Sequence, residues 1–162
     1  SGKSAHAELL AASYAADSGS QLVYIATAEI FDDEMETRIQ LHRDRRGPEW
    51  QLVEAPIDLP DAITAADTEN TTILVDCLSV WTTNLLVHEH DPAVARDALL
   101  TSLAGCSGRI LLVASETGLG IVPDNALSRR FRDANGLLNQ SVAALADEVF
   151  FVTAGLALRI KP

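Results

Sequence analysis

Positive charge is scarce in this chain: 12 Lys and Arg stand against 23 Asp and Glu, a formal net charge of −11. A protein that tracks a nucleic-acid backbone needs the opposite balance, so no nucleic-acid partner is expected. Cysteine is almost missing. Cys77 and Cys106 are too few for a disulfide framework or a zinc site. Each lies at the end of an apolar stretch, as buried free thiols of a cytoplasmic protein do. Hydrophobic residues make up 48%, yet no apolar run approaches the roughly 18 residues of a membrane span, so no transmembrane segment is expected. No secretory leader, internal repeat, low-complexity stretch or linker is legible. What these absences leave is a single domain of 162 residues, large enough for a real core.

Apolar strands and helices alternate along it. Residues 3–17 read as a helix that stops at Asp17-Ser18-Gly19-Ser20, and Gln21–Ala26 as a short buried strand. A second helix is expected from Asp32 to about Arg45, its acidic first turn suiting the helix dipole. Trp50–Glu54 is extended, 59–66 weakly helical, and Thr72–Cys77 a buried strand. Helices follow over Ser79–Val87 and Pro92–Leu103, then a strand over Arg109–Ser115 and a glycine-containing loop, Glu116–Pro123. Leu127, Phe131, Ala134, Leu138, Val142 and Leu145 make the stripe of a long helix from about Asn125 to Ala146. Val149–Thr153 and Leu156–Ile160, joined by Ala154-Gly155, form an antiparallel hairpin. Uniformly apolar strands separated by helices predict an α/β fold with a mostly parallel sheet covered on both faces. The hairpin is expected to make that sheet mixed.

Ser1-Gly2-Lys3-Ser4 matches the second half of a phosphate-binding loop, G-x-x-x-x-G-K-[ST], and a good helix former follows at once. A helix N-terminus there offers free N–H groups and a favourable dipole to an anion. Lys3 would reach the terminal phosphates and the Ser4 hydroxyl would hold Mg²⁺. The same triplet also arises by chance at a cut chain end. If the motif is real, a strand and the first half of the loop should precede Ser1, with that strand central in the sheet. The chain then reads as an incomplete P-loop domain spanning 1–162. Asp76 ends an apolar strand as a Walker B acid does; the alternative is a helix-capping Asp. His42 lies among Arg38, Arg43, Arg45 and Arg46. Arginine forks suit phosphate oxygens and a neutral imidazole can act as a nucleophile, although a solvated helix end has the same composition. Thr27 follows a strand, where α/β sheets bind ligands. Glu54 reads equally as a sugar or base contact and as a surface acid.

Several stretches together resemble one family. They are SGKS at 1–4, YIATAEIFDDEMETRIQLHRDRRGPEW at 24–50, TTNLL at 82–86, ETGLGIVPDNALSRRFRDANGLLNQ at 116–140 and ADEVFFVTAGLALRIK at 146–161. They resemble the bifunctional adenosylcobinamide kinase / adenosylcobinamide-phosphate guanylyltransferases of cobalamin biosynthesis. The resemblance implies a RecA-like, three-layer P-loop fold, a cytoplasmic homotrimer, and two reactions on adenosylcobinamide. The first is phosphorylation by ATP or GTP. The second is transfer of GMP from GTP through a GMP–histidine intermediate. It assigns the histidine to His42, catalysis also to Lys3, and Mg²⁺ to Ser4 and Asp76. Nucleotide contacts fall on Ser1, Gly2, Lys3, Ser4, Ala26, Thr27, Ala28, Arg43, Asp44, Arg45, Arg46, Glu54 and Asp76. The competing readings are an enzyme with only one of the two activities, or a P-loop protein that binds nucleotide without turnover.

Overall fold

The computed structural model describes residues 1–29 and 47–162. The helix expected at 32–45 lies outside the described residues. Helix α1 (Lys3–Ser18) is rich in alanine, the best helix former. It ends at Gly19, whose φ of 72° lets its N–H reach back to the Ala15 carbonyl. The elements that follow are β1 (Gln21–Ala26), β2 (Trp50–Glu54), α2 (Leu59–Ala66), β3 (Thr71–Asp76), α3 (Leu78–Val87), α4 (Pro92–Gly105), β4 (Arg109–Val113), α5 (Ala126–Leu145), β5 (Val149–Thr153) and β6 (Leu156–Lys161). The structure starts the expected strand at 72–77 one residue earlier and ends the one at 109–115 two residues sooner, because Cys77 and Ala114 already belong to the turns beyond the strands.

Four strands form a parallel sheet in the order β2-β1-β3-β4. Side chains alternate across it, and each face has its own cover. Val23, Ile25, Ile73 and Val75 pack with Leu59 and Ile63 of α2, Leu78, Trp81 and Leu85 of α3, Leu99 of α4 and Leu138 of α5. On the opposite face Leu22 meets Ala11 and Ala15 of α1, while Tyr24 and Leu74 meet Ala7. The small alanine face of α1 lets the helix lie close to the strands. The result is three layers, helix–sheet–helix, as expected for a P-loop-like fold.

The hairpin departs from expectation. Among the described residues β5 and β6 pair only with each other and form a two-stranded sheet of their own, apart from the four parallel strands. The physical reason lies at β4. Among the described residues no strand pairs with its outer edge, and its side chains Ile110, Leu111 and Leu112 are only half-buried. The hairpin is held instead by side chains and turns. Lys161 Nζ donates to the carbonyls of Ala143, Ala144 and Ala146 at the C-terminus of α5, satisfying orphan acceptors there. The Gly155 N–H donates to the Ser1 carbonyl at 2.9 Å.

The turn into β4 is set by Asp67, whose carboxylate accepts the N–H groups of Ser107 and Gly108, each at 2.8 Å. A Cβ on Gly108 would lie 2.5 Å from the Thr68 carbonyl oxygen and 2.8 Å from that of Thr71. These are backbone atoms and cannot swing aside. Gly108→Ala is therefore expected to destabilise the domain by about 1–3 kcal/mol, the usual range for overpacking. Urea unfolding would measure it; an unchanged midpoint would show that the turn yields freely.

Candidate functional site

The carboxyl ends of the central strands are aligned. Ala26 is the register partner of Glu54 on one side and of Asp76 on the other, and Asp76 is in turn opposite Val113. β1 connects onward to β2 on one side, β3 to β4 on the other. The crevice between β1 and β3 is thus the topological switch point where ligands of open α/β sheets bind. Three residues expected in the site, Glu54, Ala26 and Asp76, form one row along it.

Helix α1 begins with the glycine-lysine-serine triplet. Gly2 precedes the helix in the left-handed region at φ 91°, a conformation that glycine adopts without strain. The first turn carries neither a side-chain cap nor an acidic residue. An uncapped N-terminus leaves N–H groups and the positive end of the dipole available to an anion. Lys3 and Ser4 are half-buried, while Ser1 and Gly2 are exposed. The Lys3 ammonium donates to Ser1 Oγ at 3.4 Å.

Polar side chains tie the strand ends together. Tyr24 is buried on β1 and donates its hydroxyl to Asp76 Oδ2 at 2.9 Å, its ring edge-on to Trp50. Thr27 is 0% exposed. Its Oγ1 accepts the Cys77 N–H and donates to the Cys77 carbonyl, both at 2.9 Å, so its hydroxyl belongs to the scaffold. Burial pushes the Cys77 thiol above its ordinary pKa. The Asp76 carboxylate adds to this, while backbone N–H groups of Val80 and Ser79 and the Lys3 ammonium act against it. Ala7 of α1 packs against the Tyr24, Leu74 and Val113 cluster, which brings the first turns of α1 to the end of β3.

Glu54 borders an open cavity of about 420 Å³ with Ala55, Pro56, Ile57, Asp58 and Asp61. Across the molecule, loop 116–124 is strapped to α5. Arg132 donates to the carbonyls of Gly118 and Gly120, Arg129 to those of Pro123 and Asp124, and Asn135 to the Ser115 carbonyl. His88 Nε2 lies 3.0 Å from Glu29 Oε2, which joins the end of α3 to the last residue described before 30–46. His42, Arg43, Asp44, Arg45 and Arg46 lie outside the described residues.

Among the described residues no cluster of three His, Cys, Asp or Glu could hold a metal alone. A cation here would need the hydroxyl of Ser4, the Asp76 carboxylate and phosphate oxygens, a donor set that suits a hard divalent cation. The arrangement combines an anion-binding helix start, a lysine and an acid at a switch point. It is equipped to bind and position a nucleoside triphosphate.

The sequence profile of the cobinamide kinase / cobinamide phosphate guanyltransferase family matches residues 1–160. The chain belongs to that family. Its activity is accordingly that of a cobinamide kinase and cobinamide phosphate guanyltransferase. It is 44% identical to the bifunctional adenosylcobalamin biosynthesis protein CobP of Pseudomonas aeruginosa, over 99% of this chain and 92% of the relative. It is 40% identical to the bifunctional CobU protein of Salmonella typhimurium and 38% to that of Escherichia coli, each over 99% of this chain and 94% of the relative. In this family member the structure brings Glu54, Ala26, Thr27 and Asp76 to one edge. It also adds Tyr24 and Asn84, which sequence reading passed over. Asn84 had a signal: an amide among Trp81, Leu85 and Leu86 of an apolar helix. Tyr24 had none, because a tyrosine inside YIAT reads as ordinary packing.

Thr27→Val keeps the shape, leaves the Cys77 N–H without its acceptor and takes one donor from the Cys77 carbonyl, which keeps the Trp81 N–H. It is expected to cost about 1–3 kcal/mol, while Thr27→Ser restores most of that. Chemical denaturation of the two variants checks this, and equal stability of Thr27→Val and wild type would show that water replaces the hydroxyl.

Proposed function

We propose that this enzyme phosphorylates adenosylcobinamide and then transfers GMP to it through a covalent GMP–His42 intermediate. The observation that carries the nucleotide site is the row Glu54–Ala26–Asp76 beside the uncapped start of α1. In the kinase step the N–H groups of α1 and the Lys3 ammonium neutralise the terminal phosphates as charge moves during phosphoryl transfer. Ser4 and Asp76 would hold Mg²⁺, which when bound offsets phosphate charge. Tyr24, through its hydrogen bond, fixes one Asp76 oxygen and so orients the carboxylate.

In the guanylyl step an imidazole nitrogen of His42 bonds to the α-phosphorus of GTP. The α–β phosphoanhydride bond breaks and pyrophosphate leaves, its charge met by Lys3 and by Arg43, Arg45 and Arg46. A phosphate oxygen of adenosylcobinamide phosphate then attacks the same phosphorus. The P–N bond breaks, His42 is regenerated and adenosylcobinamide-GDP forms. Ala26, Thr27, Ala28, Asp44 and Glu54 contribute nucleotide contacts; for Thr27 these come from its backbone, since its hydroxyl is engaged with Cys77.

Two further parts belong to this reading. The assembly is a homotrimer. Leu119, Ile121 and Val122 at the tip of the strapped loop, and Leu156, Leu158 and Ile160 along one face of β6, are exposed and support an apolar interface. The location is cytoplasmic, consistent with two free thiols and with no helix among the described residues long and apolar enough to cross a membrane.

Incubation with Mg²⁺ and GTP labelled at the α-phosphate should leave acid-labile, base-stable label on the wild type and none on His42→Ala. Equal labelling of the two would remove His42 from the mechanism. No label on a folded wild type would leave a kinase or a nucleotide-binding protein as the better account. Asp76→Asn should keep the fold, since the amide can still accept from Tyr24. It should lower both half-reactions by about 10²-fold or more by weakening Mg²⁺ binding. Activity of Asp76→Asn equal to wild type at limiting Mg²⁺ would exclude Asp76 as a ligand.

A further inference from the structure

Asn84 is a polar side chain where the helix pattern calls for an apolar one. It is 1% exposed on α3, between the buried Trp81 and Leu85. Its Nδ2 donates to the Thr27 carbonyl at 2.7 Å and to the Pro56 carbonyl at 3.0 Å. Two carbonyl acceptors on one end settle which end of the amide is nitrogen. Both acceptors lie outside the helix: Thr27 is the first residue past β1, and Pro56 the second past β2. The Asn84 Oδ1 is buried and meets no donor among the described residues. A leucine of similar size would carry no such orphan acceptor but would leave both loop carbonyls without this donor, so the amide accepts one unmet acceptor in exchange for holding two loops.

The same helix reaches the second loop again one turn earlier, where Trp81 Nε1 donates to the Ile57 carbonyl at 2.7 Å. Thr27, held from behind by Asn84, grips both backbone polar groups of Cys77. One amide thus connects the exits of β1 and β2, and through Thr27 the exit of β3. These are the loops that begin at Ala26, Glu54 and Asp76.

We propose that Asn84 is a positioning residue of the nucleotide site. Its amide sets the separation of the loops after β1 and β2, so that residues 26–28 and Glu54 engage one nucleotide together, and Asn84 itself does not touch the nucleotide. The proposal rests on the reading that these loops contact nucleotide. It goes beyond that reading by assigning their geometry to a side chain buried in α3.

The test compares Asn84→Leu, Asn84→Gln, Glu54→Gln and Leu99→Ala by calorimetric titration with GTP and by amide hydrogen exchange. Asn84→Leu should speed exchange at 27–29, 55 and 57. It should also weaken GTP binding by about 10- to 100-fold, the scale of a displacement near 1 Å, with KM for GTP rising more than kcat falls. Asn84→Gln keeps the donors but moves them by one methylene, and should weaken binding in the same direction with less loss of stability. Leu99→Ala removes a fully buried side chain of α4 that makes none of the hydrogen bonds holding the two loops. It should lower stability and leave GTP affinity unchanged. Weaker GTP binding by Leu99→Ala as well would show that affinity only follows stability and would overturn the proposal. If Glu54→Gln weakens binding while folded Asn84 variants bind as wild type, the positioning role fails and the nucleotide reading stands. If Glu54→Gln also binds as wild type, that reading falls and takes the proposal with it. Should Asn84→Leu not fold, Asn84→Gln decides alone: wild-type affinity overturns the proposal.

Discussion

The candidate site depends on the pairing of β1 with β3. Their register places Ala26 opposite Asp76, and the pairing of β1 with β2 carries the same row on to Glu54. A slip of one residue would turn every side chain of β1 to the other face, bringing Val23 and Ile25 out of the core and Tyr24 away from Asp76. Burial makes such a slip expensive. Ile73, Leu74 and Val75 are each 0% exposed, so both faces of β3 are covered and a slip would carry its neighbours' side chains into the wrong layer. The hydrophobic demand of the two layers thereby sets the position of the acid, and the chemistry uses an alignment that the core has already established.

At the edge where the strands end, apolar packing gives way to hydrogen bonding. The polypeptide must turn there while still enclosed, so backbone groups that leave the ladder need partners. Thr27 supplies them for Cys77, Asn84 for Thr27 and Pro56, and Trp81 for Ile57. Such a network confers less stability than the same volume of apolar contacts, because every buried polar group gives up water. What it confers instead is direction. Hydrogen bonds fix where a loop leaves a strand, while apolar contacts tolerate small rearrangements.

The secondary structure was legible because the two periods are clear. β1 and β3 are built on short apolar runs, residues 22–26 and 73–75, and α5 carries a stripe at spacings of three and four. The hairpin was legible from Ala154-Gly155 between two β-prone runs. Its separation from the main sheet was not, because sheet membership depends on what pairs with the outer edge of β4, far away in sequence. The motif residues Gly2-Lys3-Ser4 and Asp76 were legible by type and context. Family resemblance, and not spacing, singled out His42, Arg43 to Arg46 and Glu54. The strapping of residues 118–124 by Arg129 and Arg132 was not legible, since nothing local shows that their guanidinium groups reach back to those carbonyls.

By itself, then, the sequence determined the alternation of strands and helices, the parallel sheet, the helix start suited to an anion and the family to which the chain belongs. These follow from local pattern and from motifs of adjacent residues, whose physics acts over a few turns or strand positions. The tertiary structure alone decided that Glu54, Ala26 and Asp76 share one row, that Tyr24 holds Asp76, and that Asn84 bridges two loops that start 28 and 57 residues away from it. Those facts depend on strand order and register. Both are set by the whole core minimising exposed apolar surface at once, and no single segment contains that information.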